Sequence, residues 1–338
     1  MKQRIECPYC DGQAVLKRQA RELTYRKEEF KIVAHFYQCE KCKEEFTTTE
    51  SDTISLVQAH NQYREKHNIP FPEEIAAIRH KYNLSAAKMS EVLGFGANGY
   101  SNYENGEIPV PAYGNLINAA AEPKTFMQFL ENANEHFSEN AFKKAKEIIT
   151  LLISTSDYNT DLCKSLNVVK EPNNYTGYRK PSALKIANLA TYFITRSKPE
   201  FNDRLKINKQ FYYADFAHYK NYGASITGLS YRAIKYGPVP SNYDNIFAWL
   251  ESEQIIVPDY LKLSNGAARE LFITKSGFDQ SLFSNEEMET ISCILDKFGK
   301  MSSWDIVELS HAEKGWKELE SKRELIGYQD YAFELAAV

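Results

Sequence analysis

The sequence predicts a mainly α-helical protein with small β elements, and three observations lead to that prediction. Two matched Cys-x-x-Cys motifs near the N-terminus indicate a small metal-bound β module. Helix start and stop signals recur closely through the middle of the chain. After a polar stretch, a second group of helices is interrupted by short strand-like segments. A chain of 338 residues is long enough for two or three domains.

The two cysteine motifs are Cys7-Pro-Tyr-Cys10 and Cys39-Glu-Lys-Cys42. Each motif can aim two thiolates at one point, and four thiolates in a tetrahedron are the ligands that structural Zn²⁺ prefers. Disulfides would need an oxidising compartment, and a redox-active pair is usually a single motif. An iron–sulfur cluster stays open as an alternative. The sequence predicts a structural zinc site, and a hairpin with a basic turn between the motifs.

Composition excludes some classes of protein. The net charge of −4 argues against a basic nucleic-acid binder, so any DNA contact must come from local placement of charge. No apolar run has the length of a membrane span, and no apolar signal segment follows the first residues. We therefore expect a cytoplasmic protein without a membrane partner. The remaining cysteines, Cys163 and Cys293, are isolated and are expected to be free thiols.

The region 68–122 has the signals of several short helices. We expect 1–67 to hold the zinc module and a connecting helix, 54–67. Pro72 opens the next helix, Ser85 caps a second and Gly94 ends it. The predicted helices are 73–82, 86–93, 97–105 and 113–120. A capped helix, a glycine turn and a third short helix predict a helix-turn-helix DNA-binding domain.

The third of these helices carries the candidate DNA contacts. Asn98, Ser101 and Asn102 would share one face, and an asparagine amide can pair with the major-groove edge of adenine. Tyr100 and Tyr103 would either pack inward or meet phosphates, and Lys88 would hold a phosphate. A small helical bundle with a polar exposed helix is the alternative. Because the acidic residues Glu91, Glu104 and Glu107 lie near this helix, a dimer acting on two half-sites is expected.

The C-terminal half predicts a separate globular unit. Two helices within 123–155 and a polar linker, 156–180, would precede it, so that 123–180 forms one segment and 181–338 the next. Predicted elements in 181–338 are helices 182–196, 202–222, 241–252, 285–299, 303–310 and 312–320, a strand at 229–236, and two strands in 255–274 that turn at Asn265-Gly266. The aromatic residues of helix 202–222 are expected in a core. A catalytic pair of His218 and Asp215 is a minor alternative, because no nucleophile motif or phosphate loop accompanies it.

Residues 1–122 resemble the MqsA-type antitoxins of bacterial toxin–antitoxin systems. The resemblance rests on the two cysteine motifs, on Ile-Arg-His-Lys-Tyr-Asn-Leu-Ser from Ile78, and on the run from Ser90 to Gly106 that ends Tyr-Glu-Asn-Gly. It implies an N-terminal zinc domain joined to a helix-turn-helix domain that dimerises on operator DNA. The zinc ligands fall on Cys7, Cys10, Cys39 and Cys42. The base-reading asparagine of the family falls on Asn98, and a second base-reading position, usually arginine, is Asn102 here.

Residues of about 183–320 resemble the Panacea domain, which accompanies SocA-like antitoxins. The likeness rests on three segments: Lys209-Gln-Phe-Tyr-Tyr-Ala-Asp-Phe-Ala-His-Tyr219, Thr227-Gly-Leu-Ser-Tyr231 and Tyr236-Gly-Pro-Val-Pro240. It implies an α+β interaction domain that neutralises or delivers a toxin and carries out no reaction. The candidate partner contacts are Tyr212, Asp215, His218, Tyr219, Tyr236 and Pro238.

Together these features predict an antitoxin that binds a cognate protein toxin and represses its own operon as a DNA-bound homodimer, without enzymatic activity. The alternative is a helix-turn-helix repressor whose C-terminal domain is a proteolytic adaptor or a ligand sensor, with no toxin partner.

Overall fold

The computed structural model of the chain describes residues 1–154, 163, 166, 171–262 and 268–338. Helices predominate and the sheets are small, which confirms the predicted fold class. The chain forms two compact units. The first unit comprises Met1–Glu22, Lys31–Gln58 and Asn159–Val338, and the second comprises Leu23–Phe30 and Ala59–Tyr158.

A four-stranded sheet in the order β1-β2-β3-β4 opens the chain. Its strands are β1 Arg4–Glu6, β2 Gln13–Tyr25, β3 Glu28–Cys39 and β4 Glu45–Phe46. β1 pairs antiparallel with β2 and β4 pairs antiparallel with β3. Arg26 and Lys27 connect β2 to β3 with positive φ angles of 48° and 70°. This is the predicted hairpin with its basic turn, and it brings the two cysteine motifs to the same end of the sheet.

The connecting helix is longer than predicted because its start has a reciprocal cap. The Thr48 amide donates to Ser51 Oγ at 2.8 Å, and the Ser51 amide donates to Thr48 Oγ1 at 3.2 Å. Such a cap satisfies backbone amides that would otherwise lack partners, so α1 begins at Thr49 and runs to His67.

Short helices make up most of the second unit. They are α2 Pro72–Lys81, α3 Ala86–Leu93, α4 Gly99–Glu104, α5 Pro111–Ala120, α6 Pro123–Asn132 and α7 Glu139–Ser154. Ser85 accepts the Lys88 amide at the start of α3, and Gly94 ends α3 in the left-handed conformation. The Tyr82 ring stacks on Phe126 at 3.9 Å between ring centroids, and the Tyr82 hydroxyl donates to the Ala120 carbonyl. The predicted caps are therefore observed, and α3, the glycine turn and α4 follow one another around a shared core.

The C-terminal part of the first unit combines helices with two further sheets. Its helices are α8 Ala183–Arg196, α9 Arg204–Tyr222, α10 Tyr243–Ser252, α11 Asn285–Phe298, α12 Ser303–Ala312, α13 Lys314–Leu319 and α14 Tyr328–Tyr331. The strands β5 Tyr231–Ile234, β6 Gly237–Pro240 and β9 Leu325–Ile326 form a sheet in the order β6-β5-β9. The strands β7 Val257–Lys262 and β8 Ala268–Ile273 form an antiparallel ribbon.

Helix α9 is the centre of this part of the molecule. Asp203 caps its start and Gly223 ends it, and every residue from Lys206 to Tyr219 is buried. A helix buried on all sides normally lacks charges, yet α9 buries lysines and an aspartate that hydrogen bonds satisfy. Lys206, for example, donates to the carbonyls of Gly299 and Met301. The prediction that its aromatic residues lie in a core is confirmed by their burial.

Several sequence predictions differ from the structure or fall outside it. Residues 171–180 of the predicted linker belong to the first unit, where Thr176 and Tyr178 are buried and the Ser225 amide donates to the Gly177 carbonyl. The rest of that linker, apart from residues 163 and 166, and the Asn265-Gly266 turn lie outside the described residues. β9 and α14 were not predicted. Within the described ranges, none of the helices combines the length and the apolar character needed to cross a bilayer.

Candidate metal centre, nucleic-acid interface and partner domain

The two cysteine motifs converge at one end of the N-terminal sheet. All four sulfur atoms lie within 4.8 Å of one another. The Cys7 and Cys42 sulfurs are 3.7 Å apart, and the Cys10 and Cys39 sulfurs are 3.6 Å apart. These distances are too long for disulfide bonds. Four sulfurs that each lie about 2.3 Å from a Zn²⁺ ion are separated by about 3.8 Å, so the cluster has the size of a tetrahedral thiolate site.

Backbone amides support the sulfur atoms. The Tyr9 amide points to Cys7 Sγ at 3.4 Å, and the Lys41 and Cys42 amides point to Cys39 Sγ at 3.4 and 3.5 Å. The Cys42 amide, followed by the Lys41 amide, lowers the pKa of the Cys39 thiol to about 6. Donors aimed at a sulfur favour its thiolate form, which is the form that binds metal.

Gly12 lies directly against this centre, and the sequence analysis did not single it out. A Cβ atom at this position would lie 2.8 Å from Lys41 Cβ, 2.9 Å from Cys39 Sγ and 3.2 Å from Cys10 Sγ. The Gly12 carbonyl also accepts the Cys7 amide at 3.0 Å. The glycine two positions after the first motif was the available signal. A knuckle, the turn that each Cys-x-x-Cys motif forms, leaves no room for a side chain at this position when it closes on a metal. The donor set, its spacing and this close approach all fit a bound metal ion.

The candidate base-reading residues lie at the start of α4. Asn98 is the residue before the helix and is exposed, as is Asn102, while Ser101 is half-buried. The Asn102 amide donates to the Asn98 carbonyl at 2.9 Å, which places the two residues one helical turn apart. With six residues, α4 is shorter than predicted. The structure therefore brings the three predicted polar side chains to one short surface element.

Tyr100 and Tyr103 are not on that surface. Tyr100 is fully buried, and its hydroxyl donates to the Ile75 carbonyl at 2.7 Å. Tyr103 is also buried, with its ring edge-on to Phe95. Assigning the two tyrosines to DNA contact was wrong, because at this spacing they face the core that α2 and α3 share with α4.

The cations near α4 are engaged in ion pairs. Lys88 pairs with Glu91 and also donates to the His136 carbonyl. Arg79 pairs with Glu104 at 2.6 Å. A phosphate contact by Lys88, as predicted, would have to replace its present partners. The surface of α4 therefore offers hydrogen-bonding groups with little free positive charge.

Most of the candidate partner residues of the C-terminal domain are buried. They are Tyr212, Asp215, His218, Tyr219 and Pro238. Direct contact with a partner at these positions was a wrong prediction, because each lies inside the fold. Tyr236, by contrast, is 44% exposed.

Asp215 and His218 each have their own structural partners. Asp215 accepts hydrogen bonds from the amides of Ile226 and Thr227, both at 2.8 Å, and from the hydroxyls of Thr227 and Tyr231. His218 Nδ1 bonds to Thr290 Oγ1 at 3.1 Å. Burial lowers the pKa of His218 to about 3, so the ring is neutral at physiological pH. The carboxylate fixes the turn after α9, and the imidazole joins α9 to α11.

An exposed aromatic pair lies at the surface of the same domain. Trp304, at the start of α12, is 60% exposed, and its ring meets that of Tyr236 edge-on at 6.3 Å between centroids. The sequence analysis named Tyr236 but missed Trp304. A large aromatic residue directly after the Ser302–Ser303 helix start was the signal, since the first turn of a capped helix often faces solvent.

Comparison with known families matches two segments of the chain. Residues 5–117 match the model for MqsA, the antitoxin component of a bacterial toxin-antitoxin system. Residues 207–317 match the model for the SocA-like antitoxin Panacea domain. None of the curated proteins matches the chain at a significant level. The cysteine cluster and α4 lie within the first match. The Tyr236–Trp304 pair and α9 from Ile207 onward lie within the second. The chain therefore joins a region that matches the MqsA antitoxin family to a region that matches the SocA-like Panacea domain, and both matched families are antitoxin families.

Proposed function

We propose that this chain is the antitoxin of a type II toxin–antitoxin system, in which it represses its own operon and neutralises a cognate toxin. The observation that carries the proposal is the presence of two different antitoxin families on one chain. The protein acts in the cytoplasm as a homodimer and catalyses no reaction. The non-catalytic role is supported by the separate structural partners of Asp215 and His218.

Survival of cells tests this function directly. Each gene next to this one is expressed with and without the chain. A neighbouring gene that kills only in the absence of the chain supports the proposal. Growth unaffected by every neighbouring gene refutes the toxin partner and favours a repressor whose C-terminal domain is a proteolytic adaptor or a ligand sensor.

We assign DNA recognition to Asn98, Ser101 and Asn102. Asparagine at both positions favours adenine over guanine, because one side-chain amide can accept from adenine N6–H and donate to N7 at the same time, whereas guanine presents acceptors at both O6 and N7. Since nearby cations are paired, a single domain binds weakly and two domains on one duplex are needed. Asn98→Ala should weaken binding to the duplex upstream of the gene by about 1–3 kcal/mol, with a smaller effect on a scrambled duplex.

Fluorescence anisotropy with labelled duplexes measures both affinities. The matched control is Asn140→Ala, which removes an exposed amide on α7. An equal loss of affinity for both duplexes would reassign Asn98 to the phosphate backbone. A loss of the same size in the control would show that the effect is not specific to α4.

We assign toxin contact to Tyr236 and Trp304. Exposed aromatic residues are the side chains that most often dominate protein interfaces, and these two lie together within the Panacea match. Trp304→Ala should abolish rescue from the toxin while the protein stays folded. Tyr260→Ala, at an exposed aromatic position on the β7–β8 ribbon, is the control that should still rescue. Full rescue by Trp304→Ala would place the toxin site elsewhere.

We propose Zn²⁺ as the metal held by Cys7, Cys10, Cys39 and Cys42, where it has a structural role. Metal analysis of purified protein should find one zinc per chain. Cys39→Ser should lose the metal and the order of the sheet, because ligation and folding are one equilibrium in such modules. Cys293→Ser, at an exposed cysteine outside the cluster, is the control. Iron in place of zinc would favour the iron–sulfur alternative.

A further inference from the structure

Gln58 of α1 links the N-terminal sheet to the rest of the first unit. Its side chain is fully buried. Nε2 donates to the carbonyls of Val33 and Ile54 at 3.0 and 2.9 Å, and Oε1 accepts the Val33 amide at 2.8 Å. Oε1 also accepts from Gln329 Nε2 at 2.7 Å. A glutamine amide has two donor hydrogens and two acceptor positions, so these four bonds use all of them.

The hydrogen-bond chain continues into the core of the Panacea domain. Gln329 Oε1 accepts from the Tyr219 hydroxyl at 2.8 Å. Tyr219 is fully buried on α9, and its ring packs against Tyr328 and Phe333. The path from Val33 on β3 to α9 therefore runs through two glutamine side chains without a gap. Buried polar chains of this kind tolerate only one arrangement, because any broken link leaves a polar group without a partner.

Two apolar contacts accompany this chain. The ring of His35, on β3, lies edge-on to Phe333 at 5.1 Å between centroids. Burial lowers the pKa of His35 to about 4, and its Nε2 accepts from Arg18 Nε, so the ring is neutral and its Nδ1 donates to the Val33 carbonyl. At the end of α9, a Cβ on Gly223 would lie 2.5 Å from Val57 Cγ1, which shows how closely α1 approaches that helix.

We propose that the metal centre stabilises the Panacea domain, so that metal binding and the order of α9 are thermodynamically coupled. Cys39 ends β3, the strand that carries Val33 and His35. Metal bound at Cys39 fixes the end of this strand, and the strand fixes Gln58, Gln329 and Tyr219 in turn. Loss of the metal frees β3, and the links to α9 lose their partners. Metal binding therefore stabilises the Panacea domain as well as the N-terminal sheet.

Hydrogen exchange of the full-length protein tests the coupling. Backbone amides of Arg204–Tyr222 are followed by mass spectrometry with metal bound and after its removal with a chelator. We expect exchange in α9 to be at least about tenfold faster without metal, because part of its protection comes from the coupled sheet. Faster exchange confined to the first 50 residues, with α9 unchanged, would overturn the proposal.

Coupling is reciprocal, so a change in α9 must alter metal affinity. Tyr219→Phe removes only the hydroxyl that donates to Gln329, and it should weaken metal binding roughly two- to tenfold, the range expected for one net hydrogen bond. Tyr222→Phe removes an exposed hydroxyl from the same helix and should leave the affinity unchanged. Affinity is measured by competition with a chromophoric zinc chelator. Equal affinities of Tyr219→Phe and wild type would overturn the coupling.

This inference rests on the metal site of the proposed function, and the two fail differently. Wild-type protein that binds no metal would overturn the metal site itself. Wild-type protein that binds metal while α9 and Tyr219→Phe give the negative results above would overturn the coupling alone.

Discussion

Gly12→Ala is a sharp test of the metal geometry. The added Cβ would lie within 3.0 Å of Lys41 Cβ and Cys39 Sγ, and 3.2 Å from Cys10 Sγ. Neither Lys41 Cβ nor a metal-bound sulfur can move independently of the second knuckle. The clash therefore forces the two knuckles apart, and it does so only when they are closed around the ion.

The expected size of the effect follows from the cost of overpacking. One extra carbon in a well-packed site costs about 1–3 kcal/mol. Because knuckles without metal can separate, this cost falls on the metal-bound state and appears as weaker binding. At about 1.4 kcal/mol per factor of ten, the metal affinity should fall roughly 5- to 150-fold.

Competition with a chromophoric chelator measures that affinity. Gly277→Ala is the matched control, because nothing lies within 4 Å of a Cβ at this exposed glycine. Wild-type affinity in Gly12→Ala would refute the closed geometry of the knuckles. A comparable loss in Gly277→Ala would show that the assay responds to general destabilisation.

Three further changes test buried residues. Asp215→Asn should lower the free energy of unfolding in urea by about 3–6 kcal/mol. The hydroxyls of Thr227 and Tyr231 now donate to one carboxylate oxygen, and each of these bonds contributes about 1.5–3 kcal/mol. In the variant both hydroxyls would face an amide nitrogen, which is itself a donor. Folding lowers the pKa of His218 from its usual 6.5 to about 3, so between these pH values the folded state holds fewer protons than the unfolded state. The free energy of unfolding should therefore fall as the pH drops from 6.5 towards 3, by at most about 1.4 kcal/mol per pH unit. His218→Gln should flatten this dependence of stability on pH. Tyr100→Phe should cost about 1–2 kcal/mol of stability by leaving the Ile75 carbonyl without its donor, with DNA affinity unchanged.

Each of these changes has its own contrary outcome. Asp296→Asn, at an exposed position on α11, should be nearly neutral, and an equal cost there would remove the argument from Asp215. His80→Gln, at an exposed histidine, is the control for His218, and an equally flattened pH dependence in this variant would remove the argument from His218. Tyr100→Phe protein that is as stable as wild type but binds DNA more weakly would return Tyr100 to the interface.

Local signals predicted the helices and the convergence of the four cysteines well. Ser85 caps the start of α3, Gly94 ends it, and Ser182 caps the start of α8, each at the position that the sequence predicts. Such caps can be predicted because they involve only the backbone amides of neighbouring residues. The convergence of the four cysteines could be predicted because two matched Cys-x-x-Cys motifs have few uses other than holding one metal ion. Features of this kind depend on residues close together in the chain, and a sequence displays them directly.

Predictions failed where partners are distant in sequence. Tyr100 and Tyr103 are spaced to share one face of the helix, but their spacing fits an exposed face as well as a buried one. Only the packing of α2 and α3 against α4 decides that this face is buried. The residues of α9 were assigned to a partner because they lie in the segment that resembles the Panacea interaction domain. Burial of Asp215 depends on donors from the turn at Ile226 and Thr227 and from Tyr231, which no periodicity reveals.

The separation between Gln58 and Gln329 has a consequence for synthesis of the protein. These two side chains bond across 271 residues of sequence. At about 5–20 residues per second, a ribosome needs roughly 14–54 s to supply the second glutamine after the first. Throughout that interval the nascent N-terminal sheet presents an unfinished face to the cell, open to chaperones and proteases. A newly made chain of this design completes this link only after Gln329 has left the exit tunnel.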